Sequence, residues 1–217
     1  MIRERNSPNF GPRRNGLTPH LIVLHYTGMR DTEAALDRLC DPDAQVSAHY
    51  VICPRGRLWQ LVPEEARAWH AGAGCWAGLS DMNSRSIGIE LVNTGAQPFP
   101  EPQMQVLERL MRDVMARHAI DPRDVIGHSD MAPERKEDPG PRFDWRRLAR
   151  NKLAFMPEGM GADRPLSESL DAIGFPSASP EKRLQAFRFR FHPVGQGPET
   201  GSDRRRAAAV AAAFSQR

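Results

Sequence analysis

The sequence is short of the features that mark the simplest functional classes. Its three cysteines, Cys40, Cys53 and Cys75, are odd in number, widely spaced and form no CxxC pair, so no disulfide framework is expected. All three read as small buried hydrophobes. No stretch is long and apolar enough to span a membrane, and the opening residues Met1-Ile2-Arg3-Glu4-Arg5 lack the apolar run of a signal peptide. The chain as it stands is therefore expected to be cytoplasmic; a leader missing from it would place it in the periplasm. Charge of one sign is also lacking: 30 basic against 27 acidic residues leave +3. The arginines are spread along the chain, apart from Arg204 to Arg206, so no basic stripe points to nucleic acid. There is no internal repeat. An apolar content of 40% and 26% charged residues suit a packed core, and 217 residues suit one domain with a small appendage.

What is present is a series of short apolar runs, two of them ending in histidine. Residues 1–19, rich in Pro, Asn and Arg, read as an extended lead-in. His20 to His25 is continuous and aliphatic between its histidines, the pattern of a buried strand. Asp31 to Leu39 predicts a helix capped by Asp31 or Thr32, with Ala35, Leu36 and Leu39 on one face. Val46 to Cys53 predicts a strand, turned by Pro54-Arg55-Gly56-Arg57 into a hairpin partner over 58–62. Residues 63–86 read as a long irregular loop, and its Trp69, His70 and Trp76 suggest a binding loop. Ser86 to Asn93 predicts another strand, interrupted by Glu90; glutamate is seldom buried without a partner. Glu101 to His118 is the clearest helix, with Leu107, Leu110, Met111 and Val114 on one face. Trp145 to Phe155 predicts a closing helix. From about residue 157 the composition shifts, and three short helices are expected over 166–173, 180–191 and 203–214.

The rest is organised around the stretch Val125 to Trp145. A short strand ends on Gly127-His128, and the chain reaches Lys136 and Asp138 before the breaker Pro139-Gly140-Pro141. Zinc takes His nitrogen and Asp oxygen, and catalytic sites keep one position open. As a pair, His128 and Asp138 fit a packed strand-end histidine and a turn cap equally well. With the second strand-end histidine, His25, they make a His, His, Asp set. Zinc brings the pKa of a water it holds down to about 7. Glu90 could take that water's proton and pass it to a leaving amine, and Lys136 could steady the charge on the attacked carbonyl. The set describes metal-assisted hydrolysis of an amide.

These residues resemble the zinc-dependent N-acetylmuramoyl-L-alanine amidases, the amidase-2 family, to which a phage lysozyme and the peptidoglycan recognition proteins are related. The matching pieces are Val23-Leu24-His25-Tyr26-Thr27, Val46 to Tyr50, Trp59 to Val62, Ala68-Trp69-His70-Ala71-Gly72, Ser86 to Leu91, Gly127 to Pro133 and Arg135 to Gly140. They stand in family order over roughly residues 20–150. The resemblance implies one zinc ion per chain on His25, His128 and Asp138, with Glu90 as the catalytic carboxylate and Lys136 as its cationic partner. It implies cleavage between the lactyl group of N-acetylmuramic acid and L-alanine in peptidoglycan or muropeptides, the 1,6-anhydro form of cell-wall recycling included.

The implied fold is α/β, a central mixed β-sheet flanked by helices. A catalytic domain over residues 1–158 would precede a helical, peptidoglycan-binding-like subdomain over 159–217, which could equally be a brace. His49, Tyr50, Trp69, His70 and Asn93 are the candidate substrate-side residues. The expected partners are peptidoglycan fragments, with no nucleic acid and no membrane span, and the expected state is a monomer or weak oligomer. His20, His118 and His192 read as structural or exposed, and Asp130 and Asp144 as local turn chemistry. Two rivals remain: a muropeptide sensor without activity, and a zinc peptidase cutting the stem peptide. The complete ligand set with Glu90 favours an amidase over a sensor.

Overall fold

A computed structural model describes residues 2–215. Its centre is a six-stranded mixed sheet. Strand β1 (Ile2–Glu4) lies on one edge, β2 (Phe10–Pro12) belongs to a separate pair, and β3 (Leu21–Tyr26) sits inside the main sheet. Helix α1 (Thr32–Cys40) follows, its first turn capped by the Asp31 carboxylate, which accepts from Ala34 N–H at 2.7 Å. Strands β4 (Tyr50–Ile52) and β5 (Leu58–Gln60) form the hairpin, and β6 (Ala66–Ala68) pairs antiparallel with β2. Helix α2 (Met82–Arg85) leads into β7 (Ser86–Leu91), and the long α3 (Glu101–His118) into β8 (Val125–Gly127). The remainder is helical: α4 (His128–Met131), α5 (Trp145–Arg150), α6 (Leu166–Ile173), α7 (Pro180–Phe191) and α8 (Gly201–Phe214). The strand order is β1-β5-β4-β7-β3-β8, with β4, β7, β3 and β8 mutually parallel.

Strand alternation divides the core between two faces. Ile22 and Leu24 of β3 join Ile87, Ile89 and Leu91 of β7 against the apolar stripe of α3. A leucine such as Leu107 or Leu110, removed from water there, contributes about 1.5–3 kcal/mol. Leu21 and Val23 look the other way, into a cluster with Trp76, Ile126, Met131 and the apolar residues of α6, α7 and α8. His25 continues the Leu21, Val23 series, so it emerges on the side covered by the tail helices. No helix among the described residues is long and apolar enough to cross a membrane.

Several expected boundaries change. The lead-in contains β1, β2 and a 3-10 turn at Arg14–Gly16. The strand expected over 46–53 shrinks to Tyr50–Ile52, and its hairpin partner ends at Gln60. The irregular loop of 63–86 holds β6 and α2. The closing helix stops at Arg150, where Asn151 caps it. The last helix starts at Gly201, because Thr200 and Asp203 cap it reciprocally. Of the three cysteines, all free, Cys53 is buried as expected, whereas Cys40 and Cys75 are only partly buried.

Candidate metal centre

Parallel pairing places the chemistry at the ends of three strands. His25 of β3 lies in register with Glu90 of β7, so both side chains leave the sheet on one face. On the other side of β3, Leu24 is opposite Gly127, the last residue of β8, and His128 follows as the first residue of α4. The chain then loops out and returns: Ser129 N–H donates to the Asp138 carbonyl at 2.9 Å. Gly127 makes this return possible, because a Cβ there would stand 2.8 Å from Pro139 Cδ.

The result is a tight triangle of ligand atoms. His25 Nδ1 is 2.9 Å from His128 Nδ1 and 2.9 Å from Asp138 Oδ2, and His128 Nδ1 is 3.1 Å from the same oxygen. All three residues are buried, and they form the one His/Cys/Asp/Glu group among the described residues close enough together that it could hold a metal ion. The chemistry of the donors fits such an ion. His128 Nε2 lies 3.0 Å from the Ala71 carbonyl, which can only accept, so that nitrogen donates and Nδ1 is the one turned to the shared point. Burial, reinforced by His128, lowers the His25 pKa to about 4, so its imidazole is neutral at neutral pH. Burial works to raise the Asp138 carboxyl, but contacts with His128 and His25 outweigh it and hold the group below the usual carboxylate range. Two imidazoles and a carboxylate thus converge on one point, at a spacing that bonds of about 2 Å to a common cation would span.

Glu90 and Lys136 line the same cleft, of about 470 Å³, together with Tyr26, Thr27 and Trp69. Glu90 Oε2 is buried without a hydrogen-bond partner. Burial, and then repulsion by Asp138, pushes the Glu90 carboxyl up to about 8, an effect that Lys136 only partly offsets. A carboxyl poised there can hold or release a proton near neutral pH, as a general base and acid must.

The candidate substrate-side residues divide. Trp69 lines the cleft. His70 borders it, but the ring is buried, with one nitrogen facing His25 and the other Ser86. His49, Tyr50 and Asn93 do not line it, which corrects their expected placement. His49 is fully buried, with Nδ1 accepting from Gly88 N–H and Nε2 beside Arg13. Tyr50 turns its hydroxyl inward to donate to Glu64 Oε1 at 2.7 Å. Asn93 accepts from Gly95 N–H and closes a turn over a different hollow.

Arg135 was not singled out from sequence, although it adjoins Lys136. It lines the cleft and donates to the Ala71 and Ala73 carbonyls, clamping the ligand loop to residues 71–73. Asp130 proves more than a turn residue: besides accepting from Gly127 N–H, it pairs with Arg190 of α7 at 2.9 Å. Asp144 caps α5, as turn chemistry suggested.

Known proteins resemble this chain in sequence and fold. The family model described as N-acetylmuramoyl-L-alanine amidase matches residues 15–141. The curated N-acetylmuramoyl-L-alanine amidase AmiD of Escherichia coli is 37% identical over 210 residues, covering 80% of this chain and 75% of its own length. The 1,6-anhydro-N-acetylmuramyl-L-alanine amidase AmpD of Enterobacter cloacae is 35% identical over 159 residues, covering 65% of this chain and 85% of its own. Among solved structures, E. coli AmiD in complex with the substrate anhydro-N-acetylmuramic acid-L-Ala-D-gamma-Glu-L-Lys superposes with a TM-score of 0.84 at 32% identity, over 98% of this chain and 94% of that one. Pseudomonas aeruginosa AmpDh3 follows at a TM-score of 0.82 and 26% identity, over 97% of this chain and 96% of that one. By the match to its sequence and the likeness of its fold, the chain belongs to the N-acetylmuramoyl-L-alanine amidase family.

Proposed function

We propose that this protein hydrolyses the amide between the lactyl group of N-acetylmuramic acid and L-alanine in muropeptides, 1,6-anhydro forms included. The observation that carries the reading is the convergence of three buried ligand atoms beside an unpartnered Glu90 oxygen in one cleft. Two imidazoles and one carboxylate suit zinc, with His25, His128 and Asp138 as its holders. Bound there, zinc supplies polarisation of the scissile carbonyl and a more acidic water. Glu90 takes the proton of the attacking water and delivers it to the amide nitrogen, whose departure as an amine needs it. Lys136 places a positive charge in the cleft, where the carbonyl oxygen becomes negative. Trp69 offers a flat apolar wall for the sugar or the peptide.

The tail of residues 159–217 is proposed to brace this site. Besides the Arg190–Asp130 pair, Ser179 N–H donates to Glu134, and Lys182 reaches Glu137 in the loop that carries Lys136 and Asp138. The deciding experiment is mass spectrometry of an anhydro-muropeptide and of MurNAc-tripeptide incubated with the protein, with and without a chelator. Chelator-sensitive release of a peptide beginning with L-alanine is the expected result. Binding without release would instead establish the sensor, and cleavage between amino acids the peptidase.

A further inference from the structure

We infer that His70 is a positioning residue: with Ser86 it forms a hydrogen-bonded chain that fixes which nitrogen of His25 faces the metal. The inference rests on reading His25 as a ligand and is independent of the reaction assigned to the site.

The chain has one direction. Ser86 Oγ lies against the Met82 carbonyl, which only accepts, so the single hydroxyl proton is committed there. The serine oxygen is left as an acceptor, and it faces His70 Nε2 at 3.3 Å, so Nε2 donates. His70 Nδ1 is then the bare nitrogen. It faces His25 Nε2 at 3.0 Å, so His25 must donate in turn. His25 Nδ1 is left with its lone pair directed at the point shared with His128 Nδ1 and Asp138 Oδ2. A backbone carbonyl does the same for His128 in one step; for His25 the path runs through two side chains to the Met82 carbonyl.

The His70 ring has no freedom to serve the substrate. Its backbone N–H and that of Ala71 both donate to Asn83 Oδ1, at 3.0 and 2.8 Å. The ring packs edge-on against His25 on one side and His49 on the other. Gly88 opens the space it occupies: a Cβ at that position would lie 2.4 Å from His70 Cγ. The glycine in Ser86-Ile87-Gly88 and the histidine in Trp69-His70-Ala71 therefore serve one device.

Outer hydrogen-bond partners of this kind are worth about 10- to 100-fold in metal affinity. The test is zinc affinity by chelator competition on the full chain for the parent, His25→Ala, His70→Leu, His70→Asn and Ser86→Ala. Thermal melts of the metal-free proteins report folding. Asparagine places its Oδ1 where Nδ1 stood and can still accept from His25. We expect His70→Leu to weaken zinc about 10- to 100-fold and His70→Asn to restore most of the loss. Two-bond proton–nitrogen spectra of the zinc-loaded parent, labelled at histidine, should show both His25 and His70 protonated at Nε2. If His70→Leu fails to fold, these spectra and Ser86→Ala, which should weaken zinc several-fold, decide the matter. A folded His70→Leu with parental affinity, or an Nδ1-protonated His70, overturns the inference and leaves the metal site standing. A parent that binds no zinc, or binds it as weakly as His25→Ala, overturns the metal site as well.

Discussion

Asp130 looks toward the tail and Asp138 toward the cleft, although one turn of chain carries both and both are buried. Asp130 Oδ2 accepts from Gly127 N–H and from Arg190 Nη1, each at 2.9 Å, and that guanidinium is itself buried and stacked on Trp145. Its counter-charge is built into the fold. Asp138 Oδ2 meets two imidazole nitrogens instead. An ion withdrawn from water must be compensated, by a partner or a metal. The fold gives the first carboxylate an arginine of its own, although Asp130 Oδ1 stays without a hydrogen-bond partner, and sets the second among imidazoles that a metal can share. The first anchors the turn, and the second makes the turn useful.

The contrast can be broken by experiment, most severely at Asp138. Asp138→Asn should lower turnover by about 10³-fold or more through loss of the cation's contribution. The metal-free protein should then lose about 1–2 kcal/mol, less than at Asp130, because the contacts of Asp138 Oδ2 with His25 and His128 weaken with the charge. A large loss of metal-free stability in a calorimetric scan would put Asp138 in the same class as Asp130. Glu90→Gln should keep zinc bound, by metal analysis, and cut kcat by about 10²- to 10⁴-fold.

Asp130→Asn reverses that pattern. It takes the carboxylate away from a buried guanidinium, which costs about 3–5 kcal/mol, or a Tm about 10 °C lower. Replacing Arg190 by Met in the same protein should recover part of the loss; no recovery would mean that the pair is not the unit. The smallest effect concerns Glu64, a carboxylate with both oxygens partnered inside the fold. Burial alone would raise its pKa, but hydrogen bonds from Arg117, Tyr50 and His118 lower it to about 2. A depressed carboxyl stabilises the fold above its unfolded pKa near 4.5 and loses that contribution as pH falls toward 2. Glu64→Gln should flatten urea-measured stability across that window by about 2 kcal/mol.

The elements legible in the sequence were those with a local signature. The uninterrupted run of β3, the stripe of α3 and the polar Glu90 within β7 each follow from side-chain period alone. Strands β1, β2 and β6 were not legible. Each spans three residues, and the residues of β1 are all exposed, so its existence depends on β5, far along the chain. His25, His128 and Asp138 could be named from the sequence because they stand in motifs that follow the order of the family it resembles, and the fold brings the three together. His49 and Tyr50 could not be placed, because alternation says which residues share a face and not what covers it. His70 announced itself by its place in a Trp-His pair, but its partner Ser86 reaches it only through the folded chain.

The Arg190–Asp130 pair also bears on how such proteins can be taken apart and recombined. AmpD of Enterobacter cloacae aligns with only 65% of this chain. Cutting this protein to a similar extent would do more than drop a module: it would remove the cation that holds the strand-end turn and strip the cover from Leu21, Val23 and Ile126. A working short version would have to be redesigned at Asp130 and on that face of the sheet. In grafting terms, the Arg190–Asp130 pair ties α7 to the turn that carries His128, so moving either without the other means editing the pair as well.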